Sequence, residues 1–102
     1  MYLSNYVNWN VYKVSTSQAV LPNAKIYADS TSASFTLTLP STPKIGTIIQ
    51  LVDYKSKFAL NKVTLGRNSQ PIAGVAQDFD CNVAGKIYQI QYIDATWGWS
   101  VL

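Results

Sequence analysis

The sequence predicts an all-β fold, a small antiparallel β-sandwich or barrel of about seven to eight short strands. Three observations point to it. Apolar and polar residues alternate with period two over much of the chain, and helical periodicity is nearly absent. Turn signals built on Pro, Gly, Asn and Asp recur every ~8–12 residues. The chain has 102 residues and 11.3 kDa, which suits one domain. Residues 9–102 are expected to form that single sandwich or barrel domain, and residues 1–8, with Tyr2, Tyr6 and Val7, an N-terminal arm.

Each element has its own reason. Trp9 to Ser15 and Ala24 to Asp29 read as strands, with Pro22 and Asn23 marking the turn between them. In Ser34 to Leu39 the alternation is clean: Phe35, Leu37 and Leu39 share one face, Ser34, Thr36 and Thr38 the other. Pro40 stops this strand because it has no N–H to donate to a ladder. Pro40 to Gly46 is a connecting loop. Ile45 to Asp53 is apolar on both faces, as expected of a central strand or one covered by a partner. Asp53 to Lys57 reads as a turn, and Phe58 to Leu60 and Lys62 to Leu65 as short strands around Asn61. Gly66 to Pro71 is a turn-rich loop, and Ile72 a lone apolar plug before Gly74. Val75 to Cys81 fits either an irregular strand or one helical turn. Lys86 to Ile93 and Trp97 to Val101 alternate around Asp94-Ala95-Thr96 and make a hairpin, with Trp97, Trp99 and Val101 on one face.

Composition removes most chemistry. The chain holds no His and no Glu; its acids are Asp29, Asp53, Asp78, Asp80 and Asp94, and Cys81 is its sole thiol. The commonest general base and the commonest metal ligand are therefore missing. One Cys forms neither an internal disulfide nor a cysteine zinc site. The expectation is a protein that is not an enzyme and takes no cofactor or metal. Asp78 and Asp80 flank Phe79 and would point the same way on a strand, like the acid pair of a glycosidase, but a polar face beside a buried Phe79 is the favoured reading, because so small a chain struggles to build the apolar pocket such an acid needs. Cys81, with no His to activate it, reads as a small buried hydrophobe.

Charged residues are only 13% of the chain, about half the usual share. Aromatic residues are also 13%, and Tyr and Trp are the types that protein interfaces enrich. This balance suggests that much of the surface faces other protein. The net charge is +3, but Lys13, Lys25, Lys44, Lys55, Lys57, Lys62, Lys86 and Arg67 are scattered, and only Lys55, Lys57 and Lys62 lie close in sequence. Nucleic-acid binding wants a clustered stripe and is not expected. No run approaches the ~18–20 apolar residues of a membrane span, and Met1 to Trp9 lacks the pattern of a secretory signal, so synthesis in a cytoplasm is expected. Tyr88, Tyr92, Trp97 and Trp99 on the closing hairpin are the candidate interface or glycan platform, with Tyr12 a further exposed-ring candidate.

The order of motifs carries a resemblance. Leu39-Pro40 with Pro43 and Gly46 comes first, then Asp53, then Asn61-Lys62-Val63-Thr64-Leu65. Arg67-Asn68-Ser69-Gln70 with Ile72 and Gly74 follows, then Asp78-Phe79, Tyr88 to Tyr92 and Trp97-Gly98-Trp99. This series resembles a small β-rich module of tail-fibre, baseplate and other virion structural proteins of tailed bacteriophages. Thr38 to Trp99 match in order and approximate spacing, and Trp9, Val11, Ala28-Asp29 and Ser34-Phe35 match more loosely. Ser69 stands where the module usually has Gly, so its turn geometry departs from the pattern. The resemblance implies a non-catalytic virion structural protein, such as a tail fibre or a tail or neck adaptor. It implies action by self-association, as a homotrimer, and docking to other virion proteins, after synthesis in the host cytoplasm. The alternatives are a capsid decoration protein and an adhesin module that binds a host surface glycan.

Overall fold

In the computed structural model the described residues are 8–102, and among them are nine strands and no helix. The strands are β1 (Asn10–Val14), β2 (Gln18–Ala19), β3 (Ala24–Ala28), β4 (Phe35–Thr38), β5 (Ile48–Asp53), β6 (Val63–Gly66), β7 (Phe79–Cys81), β8 (Ile87–Asp94) and β9 (Gly98–Val101). The all-β expectation holds. The N-terminal arm expected over residues 1–8 lies outside the described residues, apart from exposed Asn8.

The antiparallel arrangement does not hold. The strands form two mixed sheets, one ordered β1-β3-β5-β8-β9 and the other β2-β4-β6-β7. From β1 to β6 the chain alternates between them, so each strand re-enters its own sheet running the same way as the last. β1 pairs with β3, β3 with β5, β2 with β4 and β4 with β6, all parallel. Parallel neighbours need a crossover connection; here the crossover is a strand of the opposite sheet. Antiparallel pairing enters only at β5–β8, β6–β7 and β8–β9. Successive turns of this winding differ in length: Asn10 sits beside Ala24 but Lys25 beside Gln50. No fixed repeat is therefore visible in the sequence.

Side-chain alternation sorts the two faces as expected. Ile26, Ile49, Leu51, Ile90 and Trp99 point inward from the larger sheet, and Leu37, Val63, Leu65 and Cys81 from the smaller; all belong to one buried cluster. Ile72 is buried with them, the plug anticipated from the sequence. β5 is the middle strand of its sheet. Just before β3, Asn23 adopts a left-handed φ of 54°. Its carbonyl accepts the Asn10 N–H (2.9 Å) and its Oδ1 the Ile48 N–H (3.0 Å), which aligns the starts of β1, β3 and β5.

Some elements differ from expectation. Phe58 to Leu60 is not a strand but a turn, and Phe58 is fully buried. The cause is Asp53, whose buried carboxylate accepts the N–H groups of Lys57 and Phe58, both at 3.0 Å, and folds the chain back. β2 has only two exposed residues and left no apolar pattern to detect. Val75 to Cys81 resolves into an isolated bridge from Ile72 to Val75 followed by β7. The β8–β9 hairpin forms with a bulge between Tyr92 and Asp94. That bulge puts Trp97 in the turn, so Trp97 and Trp99 do not share a face.

Candidate functional site

Three of the four hairpin aromatics are core residues. Trp99 is wholly buried, and Tyr92 meets its ring edge-on at 5.5 Å while donating its hydroxyl to Gln70 Oε1 at 2.9 Å. Tyr88 packs between Phe58 (6.3 Å) and Phe79 (6.1 Å), and its hydroxyl accepts the Val83 N–H. None of these rings has a free face for a ligand. Trp97 alone remains, with 47% of its surface exposed. Tyr12 is half-buried, and its hydroxyl accepts the Leu21 N–H.

A clasp positions Trp97. The segment Pro71 to Gly74 runs along β9: the Pro71 carbonyl accepts the Trp99 N–H (2.9 Å), the Trp99 carbonyl the Ala73 N–H (2.7 Å), and the Trp97 carbonyl the Gly74 N–H (2.9 Å). Gly74 lies directly under the Trp97 ring, where an added β-carbon would come within 2.9 Å of it. The clasp covers the edge of β9, which would otherwise present unpaired backbone groups.

The larger surface feature is the outer face of the five-stranded sheet. The strand register, parallel from β1 to β5 and antiparallel from β5 to β8, brings Val11, Lys25, Gln50 and Gln89 into one row across four strands. Lys13, Tyr27, Val52 and Ile87 form the next row, and Ile48, Gln91 and Ser100 another. Val11 and Ile87 are well exposed, and Gln50 donates to Gln89 across the strands at 3.0 Å. These rows mix apolar, aromatic and amide side chains with two lysines and hold no carboxylate. Residues far apart in sequence build them, so only the strand register reveals the patch.

The other candidates have structural work. Asp80 is paired with Lys62 (3.0 Å) and accepts from the Thr64 hydroxyl, and both contacts hold its carboxyl below the usual range. Asp78 accepts the Arg67 N–H. Cys81 is buried, and burial pushes its thiol up to about 12. Among the described residues no cluster of His, Cys, Asp or Glu could hold a metal, and no helix is long and apolar enough to cross a membrane.

No protein-family model matches the chain, and no curated protein matches it.

Proposed function

We propose that the protein is a non-catalytic structural component of a tailed-phage virion, a tail-fibre or tail or neck adaptor module that acts by self-association, as a homotrimer, and docks to other virion proteins. The observation that carries this reading is the outer face of the five-stranded sheet, where Val11, Tyr27, Ile48, Val52 and Ile87 stand together with no acid among them. These side chains are interspersed with Lys13, Lys25, Gln50, Gln89 and Gln91, and a face that mixes apolar, aromatic and amide groups without acids suits a protein-binding surface. The motif series from Thr38 to Trp99 supports the virion assignment, and a chain without His or Glu suits a building block better than a catalyst.

Sedimentation velocity of the full chain tests it. The expected species has three times the 11.3 kDa chain mass. Ile87→Lys places a charge on the exposed face without touching the core and should return the chain to a folded monomer. A stable monomer of the unaltered chain at micromolar concentration would overturn the proposal. Mass spectrometry of purified particles tests the virion location.

A further inference from the structure

We infer that the recess between the connection into β3 and the connection into β5 seats the chain's own N-terminal segment, with the Tyr6 ring laid on its prolines. The inference does not rest on self-association, and the recess shares no residue with the rows of the outer sheet face. The winding builds it. The chain returns from β2 to β3 and from β4 to β5 at the same end of the larger sheet, so Pro22 and Asn23 of one connection meet Pro40, Thr42, Pro43 and Thr47 of the next. Together they line a recess of about 380 Å³.

Both walls are fixed by hydrogen bonds to other parts of the fold. Asn23 Oδ1 accepts the Ile48 N–H at 3.0 Å, which pins the first connection to β5. The Asn68 side-chain amide donates to the Leu39 carbonyl at 2.9 Å, the Gln70 side-chain amide to the Ser41 carbonyl at 3.1 Å, and the Gly46 N–H to the Tyr92 carbonyl at 2.8 Å. The second connection is therefore held at both ends. Proline rings stand on both walls, threonine hydroxyls lie among them, and Lys44 is the one charged lining residue. Leu21 and Ile45, on the same two connections, are exposed and add to the apolar surface of this end.

The point where the chain enters the fold selects the occupant. Asn10 donates its N–H to the Asn23 carbonyl at 2.9 Å and its side-chain amide to the Pro22 carbonyl at 2.8 Å, so the start of β1 is tied to the recess wall. Residues 1–7 lie outside the described residues and join the chain at Asn8, two positions before this tie. An extended chain puts Tyr6 as far as ~14 Å from Asn10, against a spacing of ~4.8 Å between neighbouring strands. The segment Met1-Tyr2-Leu3-Ser4-Asn5-Tyr6-Val7 has no charged side chain, so nothing in it opposes Lys44. Tyrosine and proline rings are complementary surfaces, the pairing used when Pro-rich peptides dock in aromatic-lined grooves, and the phenol hydroxyl finds partners in Thr42 and Thr47. A short tether holds the segment at an effective concentration on the order of mM, far above that of a second copy at micromolar concentration. That favours Tyr6 of the same chain over the exposed Trp97 or Tyr54 of a neighbour.

NMR of the full chain at micromolar concentration decides the matter. Nuclear Overhauser contacts are expected from the Tyr6 ring to the rings of Pro40 and Pro43. Tyr6→Ser should abolish them, shift the amides of Asn23, Thr42, Lys44 and Thr47, and leave the amides of β6 in place. A chain lacking residues 2–7 should show the same shifts; should it fail to fold, Thr42→Arg, which crowds the recess from its own wall, should remove the Tyr6 contacts in the full-length chain. An equal mixture of isotope-labelled and unlabelled chains separates the sources. Contacts within one chain support the inference, whereas contacts between chains, from Tyr6, Trp97 or Tyr54, overturn it. Absent Tyr6 contacts, or recess amides unmoved by Tyr6→Ser, overturn it too. Contacts within one chain read the same in a monomer and in a trimer, so failure of self-association would leave this result standing.

Discussion

Gly98 lies so close against the carbonyl oxygen of Pro71 that a β-carbon at position 98 would overlap it. Gly98 also has φ of +76°. The close approach exists because Trp99 donates its N–H to Pro71, and that bond seats the clasp along β9. Gly98→Ala therefore meets both a forbidden conformation and a backbone clash, and should destabilise the fold by about 3–4 kcal/mol. Gly46 has φ of +92° but nothing within 4 Å of an added β-carbon. Gly46→Ala meets the conformational penalty alone, about 1–2 kcal/mol. Urea unfolding of the two variants separates the contributions.

Asp53 is the second clasp. Its carboxylate accepts from Lys57, Phe58 and Gly85, joining the turn after β5 to the loop before β8. Asp53→Ala removes all of these acceptors and strands donors beside buried Phe58, and should cost about 3 kcal/mol. Amide exchange should accelerate at Lys57, Phe58 and Gly85 before it does in β5. Unchanged exchange at those amides would show that water replaces the carboxylate.

How far the sequence reveals this depends on which physical signal each feature leaves. Period-two alternation at Phe35, Leu37 and Leu39 sorts faces whatever the partner strand, so core membership and the all-β class were legible. The same alternation serves parallel and antiparallel strands, so the direction of pairing was not. Trp97 and Trp99 are two residues apart and were placed on one face, but the bulge at Tyr92 and Asp94 breaks the period between them. Phe58-Ala59-Leu60 has strand composition, and only the distant Gly85 and the Asp53 carboxylate show why it turns instead. Pro22, Pro40 and Pro43 read only as turn and loop signals, since the recess they line forms where two connections meet.

Ser69 departs from glycine at a position that wants it. Asn68 and Ser69 have φ of 49° and 83°, so the turn Arg67 to Gln70 is left-handed at both central residues. Asn tolerates this region, whereas Ser gains nothing from it. Ser69→Gly should relieve the strain and raise stability by up to about 1 kcal/mol, less whatever unfolded-state entropy glycine adds. A higher urea midpoint with unchanged slope is the expected reading; a lower midpoint would mean that the strain is already relieved in the native turn.

The acid limb of stability should report Asp29 and Asp80. Both carboxyls sit below the ordinary aspartate value of 3.8, through the Thr31 hydroxyl and N–H for Asp29 and through Lys62 and Thr64 for Asp80. A depressed folded-state pKa gives stability that is present above the unfolded value and lost as pH falls through the folded one. Stability should thus be flat from pH 7 to about pH 5 and decline below about pH 4. Asp80→Asn should flatten that decline, while added salt should weaken the Lys62 contribution because both partners are half exposed.

The alkaline limb has the opposite sign and a different residue. Burial raises the Cys81 thiol from 9.0 to about 12, with Asp80 adding to the rise. The unfolded chain can ionise this thiol near pH 9, whereas the folded chain cannot until about pH 12. Folding is unaffected by the thiol below pH 9 and loses stability as pH climbs from there toward 12. Cys81 faces Val63 across the β6–β7 ladder in the core, so Cys81→Ala should lower stability at pH 7 by about 1–2 kcal/mol through lost packing yet flatten the fall above pH 9. A disulfide-exchange reagent should label the native thiol only at the rate of opening or unfolding, because the reactive thiolate is scarce and enclosed. Rapid labelling of the folded chain at pH 7 would place Cys81 at the surface and remove the basis for the alkaline slope.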